Sequence, residues 1–446
     1  MTDDPSIKKD EAEKPQPVMF SPIEKLPLTE AAERVIQILT RERIYVLLAG
    51  GAVRDHMMGR LAKDIDLCTS ATPEQLLEIL ARNNIRVLPV GQSFGVVIAV
   101  IDGEQIEIAT FRTDGYSSDA RRPDSVTLGV DPAEDAKRRD LTINGLFYDP
   151  IEGIVVDHVG GMQDIVDGKL RFIGNPEERI KEDNLRMMRY VRFLLKTGFT
   201  RDSASEEAVR NNAEKITTVS AERIKDEIEK MLAYGPISQI ITHLSELKLL
   251  QHILPEAESL FGREQIAADE LPVNAAMELK WAALLYEKGT DGAAACCKRL
   301  KFSNEQKDKV IWLSKNLREV VRIPEMQELE AKRFILNKNF DDIDPNFEEL
   351  ILLAQAVGKI SEEIDEKKVF QAWNRIQSIK HEADERREAG LELKKLVTGK
   401  DIMERLGTAK GGPQVGKLLN QIHDWLLIQT SPTREGALEY LDELLI

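Results

Sequence analysis

Nearly all of the β-strand signal in this chain of 446 residues lies before residue 175, and helical patterns fill the rest. This asymmetry predicts a small α/β head of about 150 residues followed by a long all-helical arm, within a length that allows roughly three domains. Thr29 is placed to cap a first helix through LTEAAERVIQILTRER. RIYVLLAGG reads as a short apolar strand ending in glycines, Ala52–Met58 as a helix closed by Gly59, and KDIDLCT as a strand. TPEQLLEILARNN is a helix entered through Thr72-Pro73. In FGVVIAVIDGEQIEIATFR two β-branched runs flank Asp102-Gly103, the dipeptide that suits a tight hairpin. The polar stretch from Arg112 to Asp135 reads as a long loop, and 177–197, 204–215, 219–234, 236–250 and 274–288 read as helices.

The net charge of −16 argues against a nucleic-acid partner unless basic residues are gathered locally. They are: Lys137-Arg138-Arg139 is a basic run, and Arg171 to Arg201 holds eight Lys or Arg against four acids. No apolar run approaches the roughly 18 residues that span a bilayer. The polar, proline-bearing N-terminus reads as a disordered tail over 1–25 of a cytoplasmic protein. Cys68, Cys296 and Cys297 form neither a disulfide framework nor a zinc spacing.

Gly50-Gly51 sits where a strand turns into a helix. Backbone without Cβ atoms can approach a phosphate there, and Arg54, about one turn on, can reach the same group. Asp64 and Asp66 are two apart on a strand, so they share a face roughly 7 Å apart. Two carboxylates so held call for a cation, and Mg²⁺, which takes one or two carboxylates plus substrate phosphates, suits. Glu107 alternates with Ile106 and Ile108 and therefore faces the opposite way; if its strand neighbours that of Asp64, it completes a three-carboxylate site.

GGAVRD followed by KDIDL, EDAKRRDLTINGLFYD (134–149) and EDNLRMMRYVRF (182–193) resemble, in order and spacing, the motifs of the class II tRNA nucleotidyltransferases. That family includes CCA-adding, CC-adding and A-adding enzymes and bacterial poly(A) polymerases. GKDIMERLGTAKGGPQVGKLL (399–419) and PTREGALEYL (432–441) resemble its tail. The resemblance implies Asp64 and Asp66 as metal ligands, to which the alternation adds Glu107 as a catalytic carboxylate, and Gly50, Gly51 and Arg54 as holders of the triphosphate. It implies Arg139, Asp140 and Asn144 as contacts to the ribose and phosphates of the incoming nucleotide. Leu141 and Gly145 stand where the family usually has Phe and Ala.

The resemblance further implies that Asp183 and Arg186, three apart on one expected helix, read the base, supported by Glu182 and Arg189. A carboxylate accepts from an exocyclic amine while a guanidinium donates to the adjacent ring nitrogen. Cytosine and adenine offer that edge; uracil and guanine mismatch it at a cost on the order of 1–3 kcal/mol per polar group.

The implied fold is α+β: a nucleotidyltransferase head with a mixed sheet and flanking helices (26–170), then an elongated all-helical neck (171–235), body (236–330) and tRNA-binding tail (331–446). The implied reaction is metal-dependent, untemplated addition of C and A from CTP and ATP to the 3′ end of tRNA. Residues 112–135 align with the family's flexible loop at full length, which argues against CC addition alone. A-only addition beside a separate CC-adding enzyme stays open. Poly(A) polymerase is disfavoured by the acidic ending EYLDELLI, and a non-catalytic binding protein by the retained Asp64, Asp66, Asp183 and Arg186.

Overall fold

The computed structural model describes residues 18–21, 24–62, 65–88, 95–115, 125–263 and 265–446. The chain divides into two compact units, one running to residue 234 with 243–253, the other comprising 235–242 and 254–446.

In the first unit the strands include β1 (Val18–Phe20), β2 (Val46–Ala49), β3 (Asp66–Thr69), β4 (Arg86–Leu88), β5 (Val96–Ile101), β6 (Glu104–Thr110), β7 (Arg112–Gly115), β8 (Ser125–Leu128), β9 (Leu146–Asp149) and β10 (Ile154–Asp157). Eight of them form one sheet in the order β1-β10-β9-β2-β3-β6-β5-β4. It is mixed, because β3 and β6 pair in parallel while their neighbours pair antiparallel. The β5–β6 hairpin turns at Asp102 (φ 50°) and Gly103 (φ 89°), the two positive values that a type I′ turn demands.

Alternation along the strands sorts side chains to two faces. Leu48, Leu67, Val97, Ile106 and Ile108 pack under α1 (Glu30–Arg41) with its Val35 and Leu39, and under Leu76 and Leu80 of the Pro73–Arg82 helix. Leu47, Cys68, Phe111 and Phe147 form a smaller core on the other face. Both helices start as expected: Thr29 accepts from the Ala32 N–H, and Thr72 forms a reciprocal capping box with Gln75.

Between these helices lies α2 (Gly51–Met57), so the Pro73–Arg82 helix is α3. Then come α4 (Pro132–Arg138), α5 (Gly161–Val166), α6 (Pro176–Glu182), α7 (Arg186–Thr197), α8 (Ser203–Asn212) and α9 (Ala221–Met231). In the second unit, among the described residues, helices run from Met277–Leu285 through Glu366–Glu388 to Arg434–Leu445 around a core that includes Trp281 and Phe347, and Trp312 and Phe334 meet Phe347 edge-on. No helix of the described residues is long and apolar enough to cross a membrane.

Three expectations are corrected. Val18–Phe20 is not tail but a strand paired antiparallel with β10, the last of the sheet among the described residues; residues 1–17 and 22–23 lie outside the described residues. Arg112–Asp135 is not wholly loop, because β7 and β8 pair antiparallel and α4 follows; 116–124 lie outside the described residues. The expected helix over 177–197 is two. At Asp183 the backbone is extended, and its carboxylate accepts the Leu185 N–H at 3.1 Å, a local turn that competes with helix.

The departures at Leu141 and Gly145 are packing. Leu141 is fully buried and bridges to Phe172, while a Cβ on Gly145 would lie 2.7 Å from Val159 Cγ2. Gly161 is tighter still: its Cβ would sit 2.3 Å from the Thr142 carbonyl oxygen and 2.8 Å from the carbonyl carbon, with Leu146 Cδ2 at 3.1 Å. Gly161→Ala is therefore expected to destabilise by about 2 kcal/mol. In helix Pro413–Ile428, Gly416 has open space at its Cβ, so Gly416→Ala is expected to stabilise by about 0.5–1 kcal/mol. Urea unfolding of both variants against the parent checks the opposite signs.

Candidate active site

The β2–α2 turn sets the first wall. Gly50 has φ 66°, a region that disfavours side chains, and a Cβ there would meet Arg139 Nη1 at 3.1 Å. The helix that follows brings Arg54 inward, buried, with its guanidinium centre 5.0 Å from the ring centre of Phe193 on α7. Arg54 donates to Asn144 Oδ1 at 2.5 Å and to Asp55 at 2.8 Å.

Asn144 extends the connection. Its amide donates to Asp140 Oδ1 at 3.0 Å, and Asp140 Oδ2 accepts from Arg189 Nε of α7 at 2.6 Å. Burial works against the Asp140 charge, but the Arg189 guanidinium, then Asn144 and the Leu141 N–H, hold its carboxyl well below the usual carboxylate range. Arg139 lies over the Phe147 ring and is held by Asp135, which also takes Arg138. Behind Arg139, burial pushes the Cys68 thiol up to about 11, so it stays neutral.

These groups line a cavity of about 600 Å³ whose described lining holds nine Lys or Arg side chains and four Asp. Gly50, Gly51, Arg54, Asp66, Arg139, Asp140, Asn144, Asp183, Arg186 and Arg189 all contribute to it. Asp135, Asp55 and Glu182 stand behind the cations as paired counter-charges. The arrangement is suited to a polyphosphate: several fixed cations with their mutual repulsion relieved from the far side.

The carboxylates meet across the sheet. Asp66 and Glu107 are direct partners in the parallel β3–β6 ladder, so their side chains share a face, about 4.8 Å apart along the pairing direction. Ile106 and Ile108 turn to the opposite core, as the alternation predicts. Partial burial, then the Asp66 charge, raises the Glu107 carboxyl above its usual value. Two hard oxygen donors in that relation fit a divalent cation of the Mg²⁺ type. Asp64 lies outside the described residues, and among the described residues no third acidic, Cys or His side chain joins the pair.

Asp183 and Arg186 both line the cavity, but not from one helix face. Asp183 closes α6 and Arg186 opens α7, joined by a turn in which the Arg186 N–H donates to the Asp183 carbonyl at 3.0 Å. Arg223 of α9 holds the Asp183 carboxylate at 2.7 Å. Arg186 pairs with Glu182 and donates to the carbonyls of Arg179 and Arg138.

Among the cavity residues that sequence reasoning did not name as site residues are Asp114, Phe193, Lys196 and Arg223. A signal existed for two of them: Arg186, Arg189, Phe193 and Lys196 recur at three- and four-residue spacing, hence on one helix face. For Asp114 and Arg223 the sequence offered none.

The Asp140–Arg189 pair makes a stability test. Arg189 is 35% exposed, so solvent screens part of the interaction. Asp140→Asn is expected to cost about 2 kcal/mol in urea unfolding, below the range for a fully buried pair. Because the folded carboxyl is held low, its contribution is complete above the unfolded value of about 4 and is lost as pH falls through the lowered folded value. The difference between parent and variant is thus expected to stay level from about pH 8 to pH 5; a difference that closed in that interval contradicts the assignment.

Comparison with known proteins follows this geometry. Residues 46–171 match the family "Poly A polymerase head domain", 198–261 match "Probable RNA and SrmB- binding site of polymerase A", and 274–440 match the second domain of tRNA nucleotidyltransferases. The chain is 33% identical to the CCA-adding enzyme of Bacillus velezensis over 398 residues, covering 86% of this chain and 90% of that one. It is 35% identical to the CCA-adding enzyme of Geobacillus thermodenitrificans over 279 residues, 63% of this chain and 68% of that one. The fold superposes on the Bacillus stearothermophilus CCA-adding enzyme in complex with CTP with a TM-score of 0.72 at 27% identity, covering 93% and 97% of the two chains. The chain is a nucleotidyltransferase and belongs to the CCA-adding enzyme family.

Proposed function

We propose that this chain adds C and A nucleotides from CTP and ATP to the 3′ end of tRNA, with no nucleic-acid template, through the cavity described above. The observation that supports this most is that one cavity is lined both by the cations suited to a triphosphate and by Asp183 and Arg186, suited to a base edge. In this reading 26–170 perform the transfer, 171–235 read the base, and 236–330 and 331–446 hold the tRNA. The reaction, on tRNA and nucleoside triphosphates, belongs to the cytoplasm.

Arg54, Arg139 and Lys196 bind the phosphates, with Gly50 and Gly51 allowing the close approach of backbone. Asp140 and Asn144 orient Arg54 and Arg189 and face the ribose. Asp183 accepts from the base's exocyclic amine through lone pairs that its bonds to Leu185 and Arg223 leave over, and Arg186 donates to the ring nitrogen. The acceptor 3′-oxygen bonds to the α-phosphorus as the α–β bridging P–O bond breaks. Pyrophosphate leaves with that electron pair, and the hydroxyl proton passes to the Asp66–Glu107 side. A Mg²⁺ ion on Asp64 and Asp66, with Glu107, would supply charge neutralisation for the phosphates and a lowered pKa for the attacking hydroxyl.

The test incubates the protein and Mg²⁺ with tRNA lacking CCA, tRNA ending in CC, or an unrelated RNA, and CTP and ATP singly and together. Ordered C, C, A addition is expected. Addition of A alone to CC-ended tRNA would indicate the A-adding enzyme, and long A-tails on any RNA poly(A) polymerase. Asp66→Asn is expected to slow transfer at least about 100-fold. Arg186→Gln is expected to raise U or G incorporation relative to C and A by roughly 10-fold, measured by competition between triphosphates.

A further inference from the structure

The second unit holds a cavity of about 660 Å³, the size of a small-molecule site, where the helices Glu328–Ile335 and Glu366–Glu388 meet the segment 428–433. Its walls mix three chemistries. Leu391, Ile428 and Pro432 supply apolar surface, with Ile428 left 47% exposed. Glu328, Glu382 and Glu385 supply carboxylates. Among the described lining residues the cations are Lys332 and Arg386, and the two differ in what they hold.

Lys332 is fully engaged within the wall. Its ammonium has three donors, matched by Glu328 at 2.9 Å, Glu382 at 2.6 Å and the Leu427 carbonyl at 3.2 Å. Arg386 is the opposite case. Its side chain is 11% exposed, yet Nε and Nη2 are buried without a hydrogen-bond partner. Glu382 lies 3.9 Å from Nη1, beyond hydrogen-bond distance, so no bond keeps the guanidinium from turning toward the cavity. Nε and Nη2 share one edge of the planar group. That edge presents two parallel N–H bonds and meets two adjacent acceptors at once. A buried charged donor without a partner is costly, which makes this edge the place for a ligand.

The charge of the lining narrows the ligand. Three carboxylates against two cations disfavour an anion, so the two acceptors belong to an uncharged group. Glu385, with its side chain 65% exposed, keeps lone pairs for N–H donors. The aliphatic wall suits a flat ring. Guanine combines these features: O6 and N7 are neighbouring acceptors, N1 and the 2-amino group are donors, and the ring faces are apolar. Adenine puts its 6-amino donor where O6 would be, against the Arg386 donors.

We propose that this cavity binds a guanine base, with O6 and N7 on the Arg386 edge, the donor edge toward the glutamates and the ring against Leu391, Ile428 and Pro432. The site lies in a different unit from the transfer cavity and does not depend on the transfer reaction. A free guanine nucleoside and a guanine of RNA present the same edge.

The test uses the full chain and guanosine, whose lack of phosphate keeps it from the cationic cavity of the first unit. Equilibrium dialysis is expected to show guanosine bound at least about 10-fold more tightly than adenosine. Arg386→Met is expected to weaken guanosine at least about 10-fold, and so is Arg386→Lys, which keeps the charge and loses the fork. The urea midpoint of Arg386→Met is expected not to fall below the parent's, because the change removes donors that no protein group satisfies. Displacement of guanosine by tRNA assigns the base to RNA, and binding that tRNA leaves unchanged assigns it to a free nucleoside; each agrees with a guanine site. No guanosine binding up to about 1 mM, equal binding of adenosine, displacement by inorganic phosphate, or guanosine binding unchanged in Arg386→Met overturns the inference. A lowered urea midpoint in Arg386→Met also overturns it, since the guanidinium would then have a partner within the protein.

Discussion

Asn144 is the joint on which the site depends. Its carboxamide accepts from Arg54, carried by the β2–α2 turn, and donates to Asp140, which is held in turn by Arg189 of α7. Each group is polar and most are buried, so none can lose its partner cheaply. The chain of bonds therefore fixes the β2–α2 turn against α7 and leaves Arg54 one orientation. Phe193 adds a platform: Arg54, Arg189 and Arg192 all lie within 6 Å of its ring centre, whose negative face adds to the acids that pair them.

This construction answers how a chain of net charge −16 presents a cation-rich cavity. The acids nearest the cavity are largely committed. Asp55 takes Arg54 and Lys196, Asp135 takes Arg138 and Arg139, Glu182 takes Arg179 and Arg186, and Glu227 takes Arg192. The carboxylates stand behind the guanidiniums and fix their directions. Burial, then the neighbouring Arg54 charge, lowers the Lys196 ammonium from its usual value, a sign of how closely the cations are gathered. Such fixed charges need little rearrangement when a polyphosphate arrives.

Reading the site from sequence succeeded where chemistry follows a short period. The strand alternation that turned Glu107 away from Ile106 and Ile108 needs only a few residues, as does the glycine turn at Gly50. It failed where a local competitor or a distant partner decides. The apolar spacing through 177–197 continues across the break at Asp183 because both helices bury the same kind of residue. A side chain bonding its own backbone outweighed that pattern. Arg223, 40 residues from the Asp183 it holds, sits in a stretch that reads as an ordinary charged helix. The pairing of β7 with β8 was hidden for a similar reason: both strands are short and polar on their open sides.

The sequence by itself determined most element types in the head outside 112–135, the two faces of its sheet, the residue types at the site and the family, because periodicity, turn residues and motif spacing are local. The tertiary structure decided that Asp66 and Glu107 are ladder partners, that Arg54 is buried on Phe193, and that Asp183 and Arg186 flank a turn. It also placed Asp66 on the lining of the cation-rich cavity. Each of these depends on strand register or on contacts across tens of residues, which are set by how the whole unit buries its core and which no local pattern records.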